Sequence, residues 1–268
     1  MHGIKDLRLV EIEVHDFCNR KCSFCPNAEF SRCDSIETAN ELNFKSFSNM
    51  IFDLNNSNYS GVFSFSRYNE PFAKPKLLER YVNLIRTVMP LNKIVTNTNG
   101  DYIDREYFKL FDEVTIMDYG NKGSKYWEEA LKTFEGLDTK VEVFLNFREN
   151  ATIEDRGGTV SDPTMKMKNG GVPRTRPCYE PQRFLGIDAN GSVMGCCNVR
   201  SDTHPRMILG NINERSIIEI DASPKADLVR NQACHAPGHM KACEFCQKDP
   251  GRYTRDDNPG IDYKGERQ

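Results

Sequence analysis

Three cysteines fall within eight consecutive positions in the segment CNRKCSFCPN, and this spacing constrains the chain more than any other feature. Three residues separate Cys18 from Cys22, and two separate Cys22 from Cys25. A closed zinc site would need a fourth ligand, which His15 or Cys33 could supply. The spacing also suits a group of buried or redox-active thiols, or an iron–sulfur cluster held by three thiolates with one iron open to a small molecule. These three interpretations remain open at this point.

The cysteine segment follows directly on a predicted strand. The segment LRLVEIEV alternates apolar with other residues, and strands and helices then alternate as far as residue 150. This order predicts parallel strands joined by helices, in an open sheet or a partial barrel. Ligands bind at the carboxyl ends of the strands in such folds. The cysteine segment, the loop RYNEP and the loop TNTNG all follow predicted strands, so we expect them to meet there.

Composition indicates a globular protein rather than a membrane or nucleic-acid-binding one. The 268 residues are 38% hydrophobic and 28% charged, and the formal net charge is −3. We therefore expect no nucleic-acid partner and no membrane partner, and no apolar run approaches the roughly 20 residues of a membrane span. The first residues do not resemble a signal peptide, which predicts a cytoplasmic protein. In that compartment the ten cysteines are metal ligands or catalytic groups more naturally than disulfides.

The second part of the chain holds another set of cysteines. From about residue 150 the sequence becomes rich in Gly, Pro and basic residues, and a hairpin with an Asn190-Gly191 turn is predicted to follow. We predict two domains, 1–155 and 156–250, and a polar, mobile tail at 251–268. The second domain contains Cys178, Cys196, Cys243 and Cys246.

The CxxxCxxC spacing after the first strand resembles the signature of the radical S-adenosylmethionine enzymes. The resemblance implies that Cys18, Cys22 and Cys25 bind a [4Fe–4S] cluster whose fourth iron chelates the amino and carboxylate groups of S-adenosylmethionine. Reductive cleavage of that cofactor yields a 5′-deoxyadenosyl radical, which abstracts hydrogen from a substrate. The family often carries an aromatic residue before the last cysteine, and Phe24 stands at that position.

Two further loops fit the pattern of that family. RYNEP resembles its GGEP motif with the two glycines replaced by Tyr68 and Asn69, and TNTNG resembles the segment that approaches the cofactor ribose. Considered alone, the glutamate of RYNEP would be an ordinary solvated loop carboxylate, and the asparagines of TNTNG would only form a turn. The cofactor contacts that the resemblance implies in these loops are Glu70, Pro71, Asn97 and Asn99.

The second set of cysteines resembles the SPASM or twitch extension of the same family. No cysteine follows Cys246, which implies the shorter twitch form, with one auxiliary [4Fe–4S] cluster bound by all four thiolates. A zinc ion held by the same thiolates is the alternative. The implied fold is α/β: a partial (β/α) barrel radical S-adenosylmethionine core and a small C-terminal α+β twitch domain, in which a β-hairpin and a helix surround a metal cluster.

Three cysteines belong to neither set. Cys33 and Cys197 are expected to be inert, and the side chain of Cys197 should point away from that of its neighbour Cys196 on the hairpin. Cys234 is a candidate catalytic residue, as a hydrogen donor to a substrate radical, or a substitute ligand for the auxiliary cluster.

The reaction that the resemblance implies is a two-electron oxidation of a secondary alcohol of a sugar or aminocyclitol, with an electron passing to the auxiliary cluster. Arg156 in the segment DRGG matches an arginine near the substrate of a dehydrogenase in this family, which implies that it stabilises a developing oxyanion. An ion pair with Asp155 is the ordinary alternative for this arginine.

Two other functions remain open. The first is radical modification or epimerisation of a peptide or protein side chain, and the second is a non-enzymatic, zinc-stapled binding module. The partners implied for the enzyme are a small-molecule, sugar-like or peptide substrate and a flavodoxin- or ferredoxin-type reductant.

Overall fold

The computed structural model describes most of the chain, and the predicted tail at 251–268 lies outside the described residues. The described ranges are 3–120, 122–167, 173–235, 240–244 and residue 246.

Strands and helices alternate through the first part of the chain, as predicted. The described strands are β1 Leu9–Ile12, β2 Val62–Ser64, β3 Ile94–Thr98, β4 Glu113–Met117, β5 Lys140–Phe144, β6 Thr152–Ile153, β7 Lys166–Met167, β8 Phe184–Ile187, β9 Ser192–Met194 and β10 Ile208–Asn211. The described α-helices are α1 Phe44–Asn56, α2 Pro75–Val88, α3 Arg105–Phe108, α4 Ser124–Leu131, α5 Phe147–Asn150, α6 Ile217–Asp221 and α7 Pro224–His235.

Eight of the described strands form one sheet, in the order β10-β9-β8-β1-β2-β3-β4-β5. Strands β1 to β5 are parallel to their neighbours, and a helix follows each of them. The short strands β6 and β7 form a separate parallel pair. The predicted α/β class is confirmed, and β1 to β5 with their helices correspond to the predicted partial barrel core.

Local sequence signals explain where the helices begin and which face they bury. Pro75 opens α2, where its missing N–H costs no helical hydrogen bond. Asp104 caps α3, because its side chain accepts a hydrogen bond from the backbone N–H of Glu106, 2.9 Å away. The face that α2 turns to the core repeats at helical spacing and consists of Leu78, Tyr81, Val82 and Ile85.

The C-terminal hairpin extends the same sheet. Strands β8 and β9 are antiparallel around the predicted Asn190-Gly191 turn, and Gly191 adopts φ +85°, a conformation that favours glycine. Strand β8 also pairs in parallel with β1, with Leu9 opposite Phe184 and Ile12 opposite Ile187. The sheet therefore runs across the predicted domain boundary at residue 155, which itself stays a prediction. This pairing brings the carboxyl end of β8 next to that of β1.

No helix in the described part of the chain combines the length and the apolar character needed to cross a membrane.

Candidate active site and metal centres

The first set of cysteines lies on the loop after β1, as predicted. The backbone N–H of Cys25 donates to the carbonyl of Cys22 at 2.9 Å, so this part of the loop forms a tight turn. Burial, together with the charge of neighbouring thiolates, raises the pKa of Cys18 to about 12 and that of Cys22 to about 11. A bound cation would reverse this effect and favour the thiolates. The structure therefore groups the three predicted ligands on one loop.

Phe24 belongs to an apolar cluster that covers one side of this loop. Its ring centroid lies 5.0 Å from that of Tyr119 and 4.8 Å from that of Phe147, and only 7% of the residue is exposed. Ile153 from β6 and Val160 from the linker join the same cluster, and Cys22 and Cys25 pack against it. The linker after β5 therefore shields the cysteine loop from water.

Glu70 connects the loops after β2 and β3. Its carboxylate accepts hydrogen bonds from the Thr98 hydroxyl at 2.7 Å and from the backbone N–H of Asn99 at 2.8 Å. Burial, which leaves 1% of the residue exposed, raises its pKa to about 7. Pro71 is buried and opens a short 3-10 helix, Pro71–Ala73. Both carboxylate oxygens of Glu70 have protein donors, so its predicted contact with the cofactor stays a prediction.

The loop after β3 also binds the cysteine loop directly. The side chain of Asn99 donates to Asn19 at 2.8 Å. The guanidinium of Arg20 donates to both carboxylate oxygens of Asp101, at 2.6 and 2.5 Å. Such two-point pairs are geometrically specific. Sequence reasoning did not single out Arg20 and Asp101, because nothing in their local sequence indicates that they meet.

Two buried amide atoms at these strand ends have no hydrogen-bond partner among the described residues. They are Nδ2 of Asn69, in RYNEP, and Oδ1 of Asn97, in TNTNG. An unpaired buried polar atom costs about 1–3 kcal/mol, so such atoms are usually satisfied by a ligand or water. Their position at the carboxyl ends of parallel strands fits a polar small molecule bound beside the first set of cysteines.

The second set of cysteines lines a single cavity. Burial raises the pKa of Cys243 to about 12, and a hydrogen bond with Cys197, together with burial, raises the pKa of Cys196. The expectation that the side chains of Cys196 and Cys197 point apart is therefore wrong, because β9 ends at Met194 and the two cysteines do not lie on the strand. Apolar side chains such as Val199 and Met207 form much of the remaining wall. All four predicted ligands line this cavity: Cys178, Cys196, Cys243 and Cys246.

Both sets consist of thiols, and thiolates are ligands of zinc as well as of iron–sulfur clusters. Among the described residues, no three His, Cys, Asp or Glu side chains gather where they could hold one metal ion. A zinc ion requires its ligands within about 2.0–2.3 Å of one centre, whereas the thiolates around a cubane bind different irons. Cys33, one of the candidate fourth zinc ligands, lies beside Asp16, and burial raises its pKa to about 11.

Cys234 is buried on α7 and contacts the second set. Its thiol donates to the carbonyl of Cys178 at 3.4 Å and accepts a hydrogen bond from Gln182 at 3.0 Å. These contacts lie beside a presumed ligand of the auxiliary site. They do not support the predicted hydrogen donation to a substrate near the first set, which stays a prediction.

Arg156 lies between the two sets. The backbone of Arg156 adopts φ +51°. The carbonyl of the next residue, Gly157, lies within hydrogen-bonding distance of Nε2 of His204, at 3.0 Å. Nη1 of Arg156 donates to Oδ1 of Asn198 at 2.7 Å. Burial raises the pKa of Cys25, and the positive charge of Arg156 lowers it. The guanidinium is therefore close enough to this thiol to act on it electrostatically. Backbone strain of this kind is common where a side chain must be held for function.

Tyr68 joins the two cysteine regions and was not predicted to have this role. Its hydroxyl donates to the carbonyl of Cys197 at 2.8 Å, and the guanidinium of Arg156 lies 5.9 Å from its ring centroid. Burial raises its pKa, and the Cys25 thiol contributes in the same direction. The residue that replaces a family glycine therefore fills the space between the cysteine sets.

Sequence comparisons match a family model to the C-terminal part of the chain and a characterised enzyme to most of its length. Residues 178–247 match the SPASM family model, an iron–sulfur cluster-binding domain. The S-adenosyl-L-methionine-dependent 2-deoxy-scyllo-inosamine dehydrogenase of Niallia circulans is 24% identical over 243 residues. That match covers 89% of this chain and 91% of the relative.

Structural comparisons show the same fold. BtrN in complex with AdoMet and 2-DOIA superposes with a TM-score of 0.74 and 21% identity, over 92% of this chain and 97% of that one. Native anSMEcpe with bound AdoMet and Cp18Cys peptide has a TM-score of 0.56 and 14% identity, over 91% of each chain. The resemblance predicted from the cysteine spacing is confirmed: this chain is similar over nearly its whole length to an S-adenosylmethionine-dependent dehydrogenase and carries a SPASM-type iron–sulfur cluster-binding domain.

Proposed function

We propose that this chain is a radical S-adenosylmethionine oxidoreductase that removes two electrons from a secondary alcohol of a sugar or aminocyclitol. The observation that carries this proposal is the arrangement of two thiol sets, of three and four, with Arg156 between them. The similarity to the inosamine dehydrogenase, which is named for an aminocyclitol substrate, supports the choice of substrate class.

The donor sets suit two [4Fe–4S] clusters. Soft thiolates are the usual ligands of iron–sulfur clusters. Cys18, Cys22 and Cys25 would leave one iron for S-adenosylmethionine, whereas the four thiolates of the second set would complete the coordination of an auxiliary cluster. When bound, the first cluster with its cofactor would supply a 5′-deoxyadenosyl radical, and the auxiliary cluster would supply an electron acceptor.

The side chains around the first set would hold the cofactor. Asn69 and Asn97 each have a buried amide atom without a protein partner, so they are proposed to bind its polar groups. The hydrogen bond between Glu70 and Asn99 joins the loops after β2 and β3. Phe24 covers the cysteine loop on the side of the linker.

Arg156 is proposed to act on the substrate. The reaction removes a hydrogen atom from carbon, a proton from the hydroxyl group and then one electron, which leaves a ketone. Arginine remains protonated in proteins, so it would stabilise the alkoxide that forms rather than accept its proton. Its contacts with Asn198 and its charge near Cys25 support this role, because the proposed radical source and the proposed electron acceptor lie on either side of it.

Peptide modification is the second candidate, because a structure with a bound peptide shares the fold. The higher TM-score and sequence identity of the BtrN complex favour a secondary alcohol as the substrate. The physiological reductant is proposed to be a flavodoxin or ferredoxin, and the many thiols fit a cytoplasmic location.

Anaerobic reconstitution tests the proposal. We expect about eight iron per chain, four for each cubane. Turnover with candidate aminocyclitols, sugars and peptides in deuterated water should yield, by mass spectrometry, a product lighter by two hydrogens. A product of unchanged oxidation state with one solvent deuterium on carbon would instead establish epimerisation. Zinc in place of iron would favour a binding module.

A further inference from the structure

One buried amide contacts both the auxiliary thiols and the proposed substrate arginine. Asn198 follows the hairpin two residues after Cys196 and is 3% exposed. Its backbone N–H donates to Sγ of Cys196 at 3.4 Å, and its side-chain Nδ2 donates to Sγ of Cys246 at 3.8 Å. Two of the four presumed ligands therefore accept hydrogen bonds from this single residue.

The other end of the amide faces Arg156. Oδ1 of Asn198 accepts from Nη1 of Arg156 at 2.7 Å, and Nδ2 also donates to the carboxylate of Glu154. Arginine has no acceptor atom and an ionised carboxylate has no donor, so these two partners determine which way the amide points. The donor end is thereby directed at the auxiliary thiols.

We propose that Asn198 is a positioning residue that couples Arg156 to the auxiliary cluster by directing a hydrogen bond onto its ligand sulfur. The inference rests on the proposed function, because it requires a cluster in the second set. Hydrogen bonds to the sulfurs are among the factors that set the reduction potential of an iron–sulfur cluster. A donor stabilises the more negative, reduced state, so the amide raises the potential. The charge of Arg156 on the carbonyl end polarises the amide and strengthens that donor.

Two substitutions distinguish the effect of the amide's shape from the effect of its hydrogen-bond donor. Asn198→Leu keeps a similar volume and removes the side-chain donor to Cys246. Asn198→Asp keeps the shape and the acceptor for Arg156, but it replaces the donor with a negatively charged oxygen. The backbone hydrogen bond to Cys196 remains in both variants, so both should still assemble the cluster.

The measurement is a redox titration of the auxiliary cluster, followed by electron paramagnetic resonance. The full chain carries Cys18, Cys22 and Cys25 as alanine, so that only the auxiliary signal remains. We expect Asn198→Leu to lower the potential by the equivalent of a tenfold change in the reduction equilibrium, about 59 mV for one electron. Asn198→Asp should lower it further. The matched control is Asn213→Ala, since the exposed Asn213 amide donates to the hairpin turn at the carbonyl of Asn190.

The failure of the inference can be distinguished from that of the proposed function. Absence of about four iron from the parent would overturn the cluster assignment itself. If the iron is present but the potentials of Asn198→Leu and Asn213→Ala agree, the positioning role is wrong.

Coupling to Arg156 is tested by a double-mutant cycle. We expect Arg156→Leu to lower the potential when Asn198 is present and to have a much smaller effect in the Asn198→Leu background. Equal shifts in both backgrounds would show that Arg156 acts only through space, and the coupling would be excluded.

Discussion

The two cysteine sets differ in how the chain builds them. The first set comes from one short loop, and all three of its thiols are partly exposed. The second set is collected from the linker, the hairpin and the segment after α7; Cys178 and Cys246 are buried, and Cys196 and Cys243 are partly exposed. Unpaired polar atoms lie at the ends of β2 and β3, the strands that follow the first set, whereas mostly apolar side chains surround the second. The more open and polar site suits chemistry on a ligand, and the more buried, apolar site suits electron storage.

The largest expected effect comes from the first set. Replacing Cys18, Cys22 and Cys25 by alanine should abolish formation of 5′-deoxyadenosine, because too few thiolates remain to hold the cluster that binds the cofactor. The second set should retain about four iron per chain. The measurement is chromatography of S-adenosylmethionine incubated with dithionite-reduced protein. Cleavage by this variant would disprove the assignment.

Replacing a ligand of the second set should separate cofactor cleavage from substrate oxidation. Cys243→Ala should lose the auxiliary iron and the oxidised product while it still forms 5′-deoxyadenosine at the first site. Cys234→Ala is the comparison variant and should keep its iron, because this neighbouring thiol contacts the set but is only the predicted substitute ligand. Loss of the auxiliary iron in Cys234→Ala, but not in Cys178→Ala, would reassign the ligands.

Arg156 should affect turnover without affecting the assembly of either cluster. Arg156→Gln is expected to lower kcat by about 10²–10³-fold, the range found when one group that stabilises an oxyanion is removed. Iron content should not change. Arg156→Lys tests whether charge alone suffices, because lysine lacks the planar fork. An unaltered rate in Arg156→Gln would limit this arginine to a structural role.

Asn97 should affect cofactor binding more than stability. Asn97→Leu removes a buried carbonyl oxygen that has no partner among the described residues, and it also removes the hydrogen bond from Nδ2 of Asn97 to the Ser66 hydroxyl at 3.2 Å. These two effects oppose each other, so the stability of the cofactor-free protein in urea should change by less than about 1 kcal/mol. The Kd for S-adenosylmethionine should rise about tenfold, which corresponds to about 1.4 kcal/mol. Calorimetry measures the affinity. Weaker binding together with a less stable fold would indicate a purely structural asparagine.

The last effect is on stability alone and concerns its dependence on pH. Burial raises the pKa of Glu70 from 4.5 to about 7. The folded protein therefore binds this proton more tightly than the unfolded chain does. The contribution of Glu70 to the free energy of unfolding is fully present below pH 4.5 and is lost as the pH rises through 7. The loss is on the order of 3 kcal/mol.

Urea titrations of the cofactor-free protein across that pH range measure this contribution. Glu70→Gln should show a smaller fall in unfolding free energy than the parent, because the amide does not ionise. Glu128→Gln, at an exposed position on α4, is the control and should follow the parent. Parallel curves for Glu70→Gln and the parent would show that Glu70 does not titrate in this range.

Local patterns in the sequence were sufficient for much of the fold. The alternation of strands and helices predicted the parallel core, and Asn190-Gly191 predicted the hairpin turn, because both depend on residues close together in the chain. The three loops at the strand ends were predicted to meet, and the hydrogen bonds of Glu70 with Thr98 and Asn99 join two of them. The roles of Glu70 and Asn97 toward the cofactor stay predictions.

Contacts between distant parts of the chain were not predictable in this way. The hydrogen bond from Tyr68 to Cys197 spans 129 positions, and that from Arg156 to Asn198 spans 42. The pairing of β8 with β1 is equally remote, since many strands could in principle accept β8 as a neighbour. Such contacts depend on how the elements pack, and no local periodicity encodes them.

The sequence by itself determined the ligand chemistry of this protein: the number of thiols, their grouping as three and four, and the strand ends that present the first set. Those features depend on the identity and spacing of residues along one segment. The tertiary structure decided how the two sets relate. The parallel pairing of β8 with β1 places the hairpin beside the cysteine loop, with Arg156, Asn198 and Tyr68 between them. No single segment encodes this arrangement, because the burial of side chains and the pairing of backbone groups are satisfied by the sheet as a whole.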